Sequence, residues 1–139
     1  MKQLVSYKHA ISRYEVAIAI KTGYIVHVNG PFLCGEWPDL RIAREWLHHR
    51  LPVGEYYIAD GGHRCRHSPV VLQESVQQNE VRKFRLIRAR HETINGRFKE
   101  WGCLKQTYRH AENKHHDVFM AVAVITQLDM LDGRPAWRI

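Results

Sequence analysis

Three cysteines in 139 residues (Cys34, Cys65 and Cys103) are odd in number and widely spaced, and no CxxC pair occurs. That excludes a disulfide framework and points to a reducing compartment. Long apolar runs are missing too. The most apolar one, Val118 to Ile125, falls far short of the roughly 20 residues that cross a bilayer, and Met1 to His9 has no apolar signal core. A soluble, intracellular chain with no membrane partner is therefore expected. The sequence also lacks a glycine-rich phosphate loop, a GxSxG elbow, an HExxH pair, and any repeat or low-complexity segment. What remains is the size and apolar content of one domain, 1–139, able to bury a core.

What is present in excess is positive charge in one place. Residues 82–110 hold nine Lys/Arg against two Asp/Glu, a net of +7 that equals the formal charge of the entire chain. Most of it falls on Arg82 to Trp101, which reads as one basic amphipathic helix. Phe84, Ile87, Ile94, Phe98 and Trp101 recur at intervals of three and four, with His91 filling the remaining turn. Gly102 is its expected stop. Cations concentrated on one element suggest a polyanion partner, and a solvated helix face is the plainer alternative. Glu92 stands among these cations, one turn after Arg88. An ordinary helix salt bridge would account for it equally well.

The remaining elements follow from pattern. Tyr14 to Ile20 is rich in β-branched residues, Lys21-Thr22-Gly23 makes a turn, and Tyr24 to Asn29 alternates, so 14–29 reads as a hairpin ended by Gly30-Pro31. Asp39 is a plausible N-cap for a helix to about Arg50. Glu55 to Asp60 is a short apolar strand, and Val70 to Leu72 a short extended piece. A last helix, His115 to Leu131, is apolar nearly all round and belongs in a core or against a partner. Residues 132–139 read as a loose tail. The fold class is α/β, a sheet with only three evident strands for so much helix, which suggests a piece missing at the N-terminus.

Asp60 ends a buried strand just before Gly61-Gly62, the edge where open α/β sheets bind ligands. An aspartate opening a turn is the bland alternative. Paired with helical Glu92, it offers the carboxylates that hard Mg²⁺ or Mn²⁺ ions take in phosphoryl transfer, with the cations left to hold a nucleic-acid backbone. Asp39 is a third carboxylate that could approach. His63, Cys65 and His67 alternate with arginines and would need a fourth ligand to hold zinc. His48-His49 and His115-His116 read as surface residues.

The segment Arg88-Ala89-Arg90-His91-Glu92-Thr93-Ile94-Asn95-Gly96-Arg97-Phe98-Lys99 resembles the third signature of DDE superfamily endonucleases of the Harbinger transposase type. Tyr57-Ile58-Ala59-Asp60-Gly61-Gly62-His63 resembles the second, with His63 where the family usually has Tyr. The likeness extends in order from Gly30-Pro31-Phe32 and Trp37-Pro38-Asp39 to the closing helix, 116–128. It implies an RNase H-like mixed sheet flanked by helices, two divalent ions (Mg²⁺ or Mn²⁺), and attack on DNA phosphodiesters in the nucleus. Asp60 and Glu92 would be the second and third metal-binding, catalytic carboxylates. Arg82, Lys83, Arg85, Arg88, Arg90, Arg97 and Lys99 would face DNA, alongside an accessory DNA-binding protein or further copies of the chain. The family's first Asp lies on a strand before the hairpin, and no Asp precedes Asp39. The resemblance thus implies a nuclease domain lacking one of its three carboxylates and inactive as this chain. The alternatives are a co-opted module that binds DNA or protein without cutting, and a decayed fragment.

Overall fold

The first element is a strand that the side-chain pattern does not announce. In the computed structural model, which describes residues 2–8 (as backbone), 12–66, 69–72 and 76–137, Lys2–Lys8 forms β1. It pairs antiparallel with Ser12–Ala19 (β2), which pairs antiparallel with Ile25–Leu33 (β3). On its other side β1 runs parallel to Tyr57–Ile58 (β4), which is parallel to Val70–Val71 (β5). One mixed sheet results, in the order β3-β2-β1-β4-β5. The α/β class holds, and the count of three strands is corrected to five. The strand expected to be missing before the hairpin is corrected as well, because β1 occupies that place. Flanked on both sides, its backbone N–H and C=O groups find ladder partners, and that outweighs a weak, polar pattern.

Asp39–Ile42 runs through a wide π turn at Ala43–Leu47 into His48–Arg50, and the three together are α1. Val81–Glu100 is α2, Gly102–Lys105 a short α3, and Asn113–Leu131 is α4. Alternation along β2 sorts its side chains between two helical layers. Tyr14, Val16 and Ile18 pack with Ile94 and Phe98 of α2, Leu104 of α3, and Phe119, Val122, Ala123 and Met130 of α4. Ala17 joins a smaller cluster with Ala43 and Leu47 of α1, Tyr57 of β4, and Ala59. Burial on both faces is why Tyr14 through Ile18 are all enclosed.

Several expected boundaries move, each for a local reason. Gly30-Pro31 does not end the hairpin: β3 continues to Leu33 across a register shift beside Arg13 and Glu15. Gly30 has φ 140, and a Cβ there would lie 2.7 Å from the Tyr14 ring, so only glycine admits this crossing. Gly102 is not the stop. The chain turns at extended Trp101, whose carbonyl then accepts from the N–H groups of Leu104 and Lys105, and a new turn seats Leu104 in the core. Trp101 itself, expected on the buried stripe, is exposed. Asp39 is the first helical residue and Pro38 the cap, because the Asp39 carboxylate pairs with Arg13 instead.

Residues 132–137, expected to be loose, are tied down. Arg97 donates to the carbonyls of Arg134 and Pro135 at 2.6 and 2.8 Å, and Ala136 and Trp137 pack against the core. Residues 138–139 lie outside the described residues. Trp137 also covers the hairpin turn, where Gly23 has φ 77 and a Cβ would come within 2.7–3.0 Å of the indole ring. Gly23→Ala is expected to destabilise by about 1–3 kcal/mol, from the left-handed backbone and the ring clash together. In thermal unfolding, adding Trp137→Ala should leave Gly23→Ala with a smaller additional penalty than in the native background. Fully additive losses would show that the ring contact contributes nothing.

Candidate nucleic-acid interface and carboxylate site

Helix α2 carries its cations in two rows. Arg85, Arg88, Glu92 and Lys99 follow one another at steps of three, four and seven, so they share one flank. Lys83, Arg90 and Arg97, seven apart, share the other. The buried stripe of Phe84, Ile94 and Phe98, joined by half-buried Ile87 and His91, lies between them and faces the sheet.

The second row is largely turned onto the protein. Arg90 donates to the Ile20 carbonyl at 2.9 Å and lies over the Trp137 ring, 4.7 Å from its centre. Arg97 meets Asp129 at 3.4 Å besides the carbonyls of Arg134 and Pro135. Of the seven cations expected to face DNA, these two act as clamps. Arg82, Lys83, Arg85, Arg88 and Lys99 have exposed side chains.

The first row runs past the end of β4. Asp60, Ala59, Gly61, Gln78, Val81 and Arg88 line one polar cavity, so the strand-end aspartate and the middle of α2 do meet. Asp60 begins a tight turn, Gly61–His63, in the way its turn reading expected. Its Oδ1 accepts from the Gly62 N–H at 3.0 Å and from the His63 Nδ1–H at 3.2 Å. His63 is almost wholly buried while the Asp60 side chain is 61% exposed. The histidine therefore holds an outward-facing carboxylate from below. The three-residue spacing of Asp60 and His63 was the available sequence signal for that role, and it was missed.

Asp39 also arrives here. Arg13 donates through Nη1 to Asp39 Oδ1 at 2.8 Å and to the Trp37 carbonyl at 2.9 Å. The Cβ position of Gly62 lies 3.1 Å from Asp60 Oδ1 and 3.8 Å from Asp39 Oδ2, so both aspartates border the same glycine. Glu92 is 78% exposed, and its ion-pair contact is His91 Nδ1 at 4.0 Å rather than an arginine. Its helical position places it on the cavity's flank without a direct bond to Asp60 among the described residues.

Two divalent ions, as the family resemblance implies, need carboxylates converging from several elements. The residues present do not fit them. Strand β1, the neighbour of β4, carries no Asp or Glu. One Asp60 oxygen already takes two donors, and Glu92 points to solvent. Among the described residues no three His, Cys, Asp or Glu side chains gather where a metal could sit. A zinc site fares no better: His63 is turned to Asp60, Cys65 contacts the Arg44 guanidinium, and His67 lies outside the described residues. No helix among the described residues is long and apolar enough to cross a membrane.

Two histidine pairs expected at the surface are partly internal. His48 is half-buried and shares a hydrogen bond with the Tyr57 hydroxyl at 2.8 Å. His115 is buried and does the same with Tyr14. His91 is largely buried on α2. Burial chiefly, then nearby Arg88, lowers its pKa to about 4 against the partial opposition of Asp60. The folded state thus holds His91 neutral where an unfolded histidine would already be protonated. Its contribution is fully present above the unfolded value near 6.5 and is lost as pH falls toward 4. Chemical unfolding should show stability declining over that window by up to about 3 kcal/mol, and His91→Gln should flatten the decline. An identical decline in the variant would place its source elsewhere.

Comparison of the chain with protein-family models, with curated proteins and with solved structures finds no match.

Proposed function

We propose that this chain is a transposase-derived, DDE-type nuclease domain with an RNase H-like sheet, which holds duplex DNA without cutting it. The observation that carries this reading is the cationic row Arg85, Arg88, Lys99 running past the strand end that bears Asp60, with Arg88 and Asp60 lining one cavity. A mixed five-stranded sheet between helical layers, with a strand before the hairpin, supports the architecture that reading requires. Asp60 and Glu92 hold the positions of the second and third metal-binding carboxylates, and β1 supplies no first one. Binding and cleavage are therefore separated: the cations remain, and the Mg²⁺ or Mn²⁺ centre does not assemble. Nuclear DNA is the partner of this reading.

Fluorescence anisotropy with labelled duplex DNA over a salt series tests it. Affinity should fall linearly in log–log form as salt rises, as counterion release requires. Asp60→Ala and Glu92→Ala should leave binding unchanged, and no variant should nick the DNA in Mg²⁺ or Mn²⁺. Absence of salt-dependent binding would defeat the reading. Metal-dependent cleavage lost in Asp60→Ala would defeat the non-cleaving part.

A further inference from the structure

The outer face of α4 has no counterpart in the chain. Ala121, Val124, Leu128 and Leu131 succeed one another at steps of three, four and three, the spacing of a coiled-coil seam. All four are exposed, Val124 at 54% and Leu128 and Leu131 at 56% each, with exposed Ile125 on the flank. Buried Phe119, Val122, Ala123, Thr126 and Met130 occupy the opposite face. The helix is thus apolar on two sides, and the fold uses one. Helix α2, by contrast, turns charge to solvent on every face that it does not bury.

The charges at the two ends of the seam say what covers it. Lys114 lies seven residues before Ala121, Asp117 four before it, and Asp132 directly after Leu131. All three are exposed, and neither Lys114 nor Asp132 has a side-chain ion pair within the chain among the described residues. Parallel pairing of two such helices would bring Asp117 to Asp117 and Asp132 to Asp132. Antiparallel pairing, with Ala121 set against the second copy's Val124, places Lys114 against its Leu131 and beside its Asp132. The two-fold axis repeats that contact, so both ends gain an opposite-charge pair.

We infer that α4 docks antiparallel on α4 of a second copy, through Ala121, Val124, Leu128 and Leu131, with Lys114 and Asp132 setting the direction. One helix pair buries little area, so the dimer is reversible and concentration-dependent. The inference does not rest on DNA binding, because α4 lies apart from the Asp60 flank of α2.

Sedimentation equilibrium on the full chain, with no DNA, tests it. The weight-average mass is expected to approach twice the monomer value as concentration rises. Leu128→Glu should hold it at the monomer, with circular dichroism and thermal melting unchanged because the residue is exposed. Lys114→Asp and Asp132→Lys should each weaken the dimer by roughly several-fold, and the two together should restore it to within about twofold. Monomer mass at every concentration overturns the proposal. So does a double reversal as weak as the two single losses combined, since only self-pairing in this direction allows the rescue.

Discussion

Replacing Arg85, Arg88 and Lys99 together with alanine should reduce the salt slope of duplex-DNA binding by about 2.7, at about 0.9 per phosphate contact removed. These three share the flank of α2 that passes Asp60, and all three are exposed. Replacing Arg90 and Arg97 should have a different effect. Their guanidinium groups already meet Ile20, Trp137, Asp129, Arg134 and Pro135, so the pair of substitutions leaves the slope nearly unchanged. It should instead lower stability by roughly 1–3 kcal/mol, since it releases hydrogen bonds from charged donors that fix residues 134–137. The two outcomes separate binding cations from structural ones on a single helix. Equal changes in slope for the two sets would mean that the whole helix surface meets DNA and that the clamps open on binding.

Phe119→Ala should cost about 3–5 kcal/mol, a third or more of the stability of an ordinary domain. Phe119 is fully enclosed where α4 meets both β2 and α2. Its ring stacks on Tyr14 with centres 3.8 Å apart and planes 7° from parallel, and it meets Phe98 edge-on at 5.4 Å. Removing it opens a cavity among three elements that cannot all close on it at once. It also frees the ring that aligns Tyr14 with His115 at 2.8 Å. Burial, reinforced by Tyr108, raises the Tyr14 hydroxyl well above its ordinary pKa, so it stays a protonated donor in the core. Denaturant unfolding followed by circular dichroism should show a large drop in midpoint at similar slope. Leu128→Ala, on the exposed side of the same helix, should stay within about 0.5 kcal/mol at dilute concentration. A small loss at Phe119 would mean that the three-element junction is not packed as described.

The helices were legible because their signals are local. Three- and four-residue spacing of Phe84, Ile94 and Phe98 set the buried face of α2, and unbroken apolar content set α4. The hairpin was legible from β-branched residues around Lys21-Thr22-Gly23. β1 was not, because Lys2–Lys8 has no pattern of its own and becomes a strand by lying between β2 and β4. The candidate site divides the same way. The position of Asp60 before a turn and the crowd of cations around Glu92 can be read along the chain. The approach of Asp39 to Gly62, and the support of Asp60 by His63, depend on where α1 and the turn come to rest.

By itself, then, the sequence determined the α/β class, the charge carried by one helix, and which residues could serve as carboxylates there, since composition and periodicity belong to the chain whatever its shape. Only the tertiary structure decided which of those residues keep company. It turned Arg90 and Arg97 inward to hold the 134–137 segment, left Arg85, Arg88 and Lys99 outward, and kept Asp60, Glu92 and β1 from forming a metal centre. The reason is physical. A guanidinium's partners, a carboxylate's open lone pairs and an unmatched apolar seam are set by distances across the fold, and those are fixed only when the layers pack.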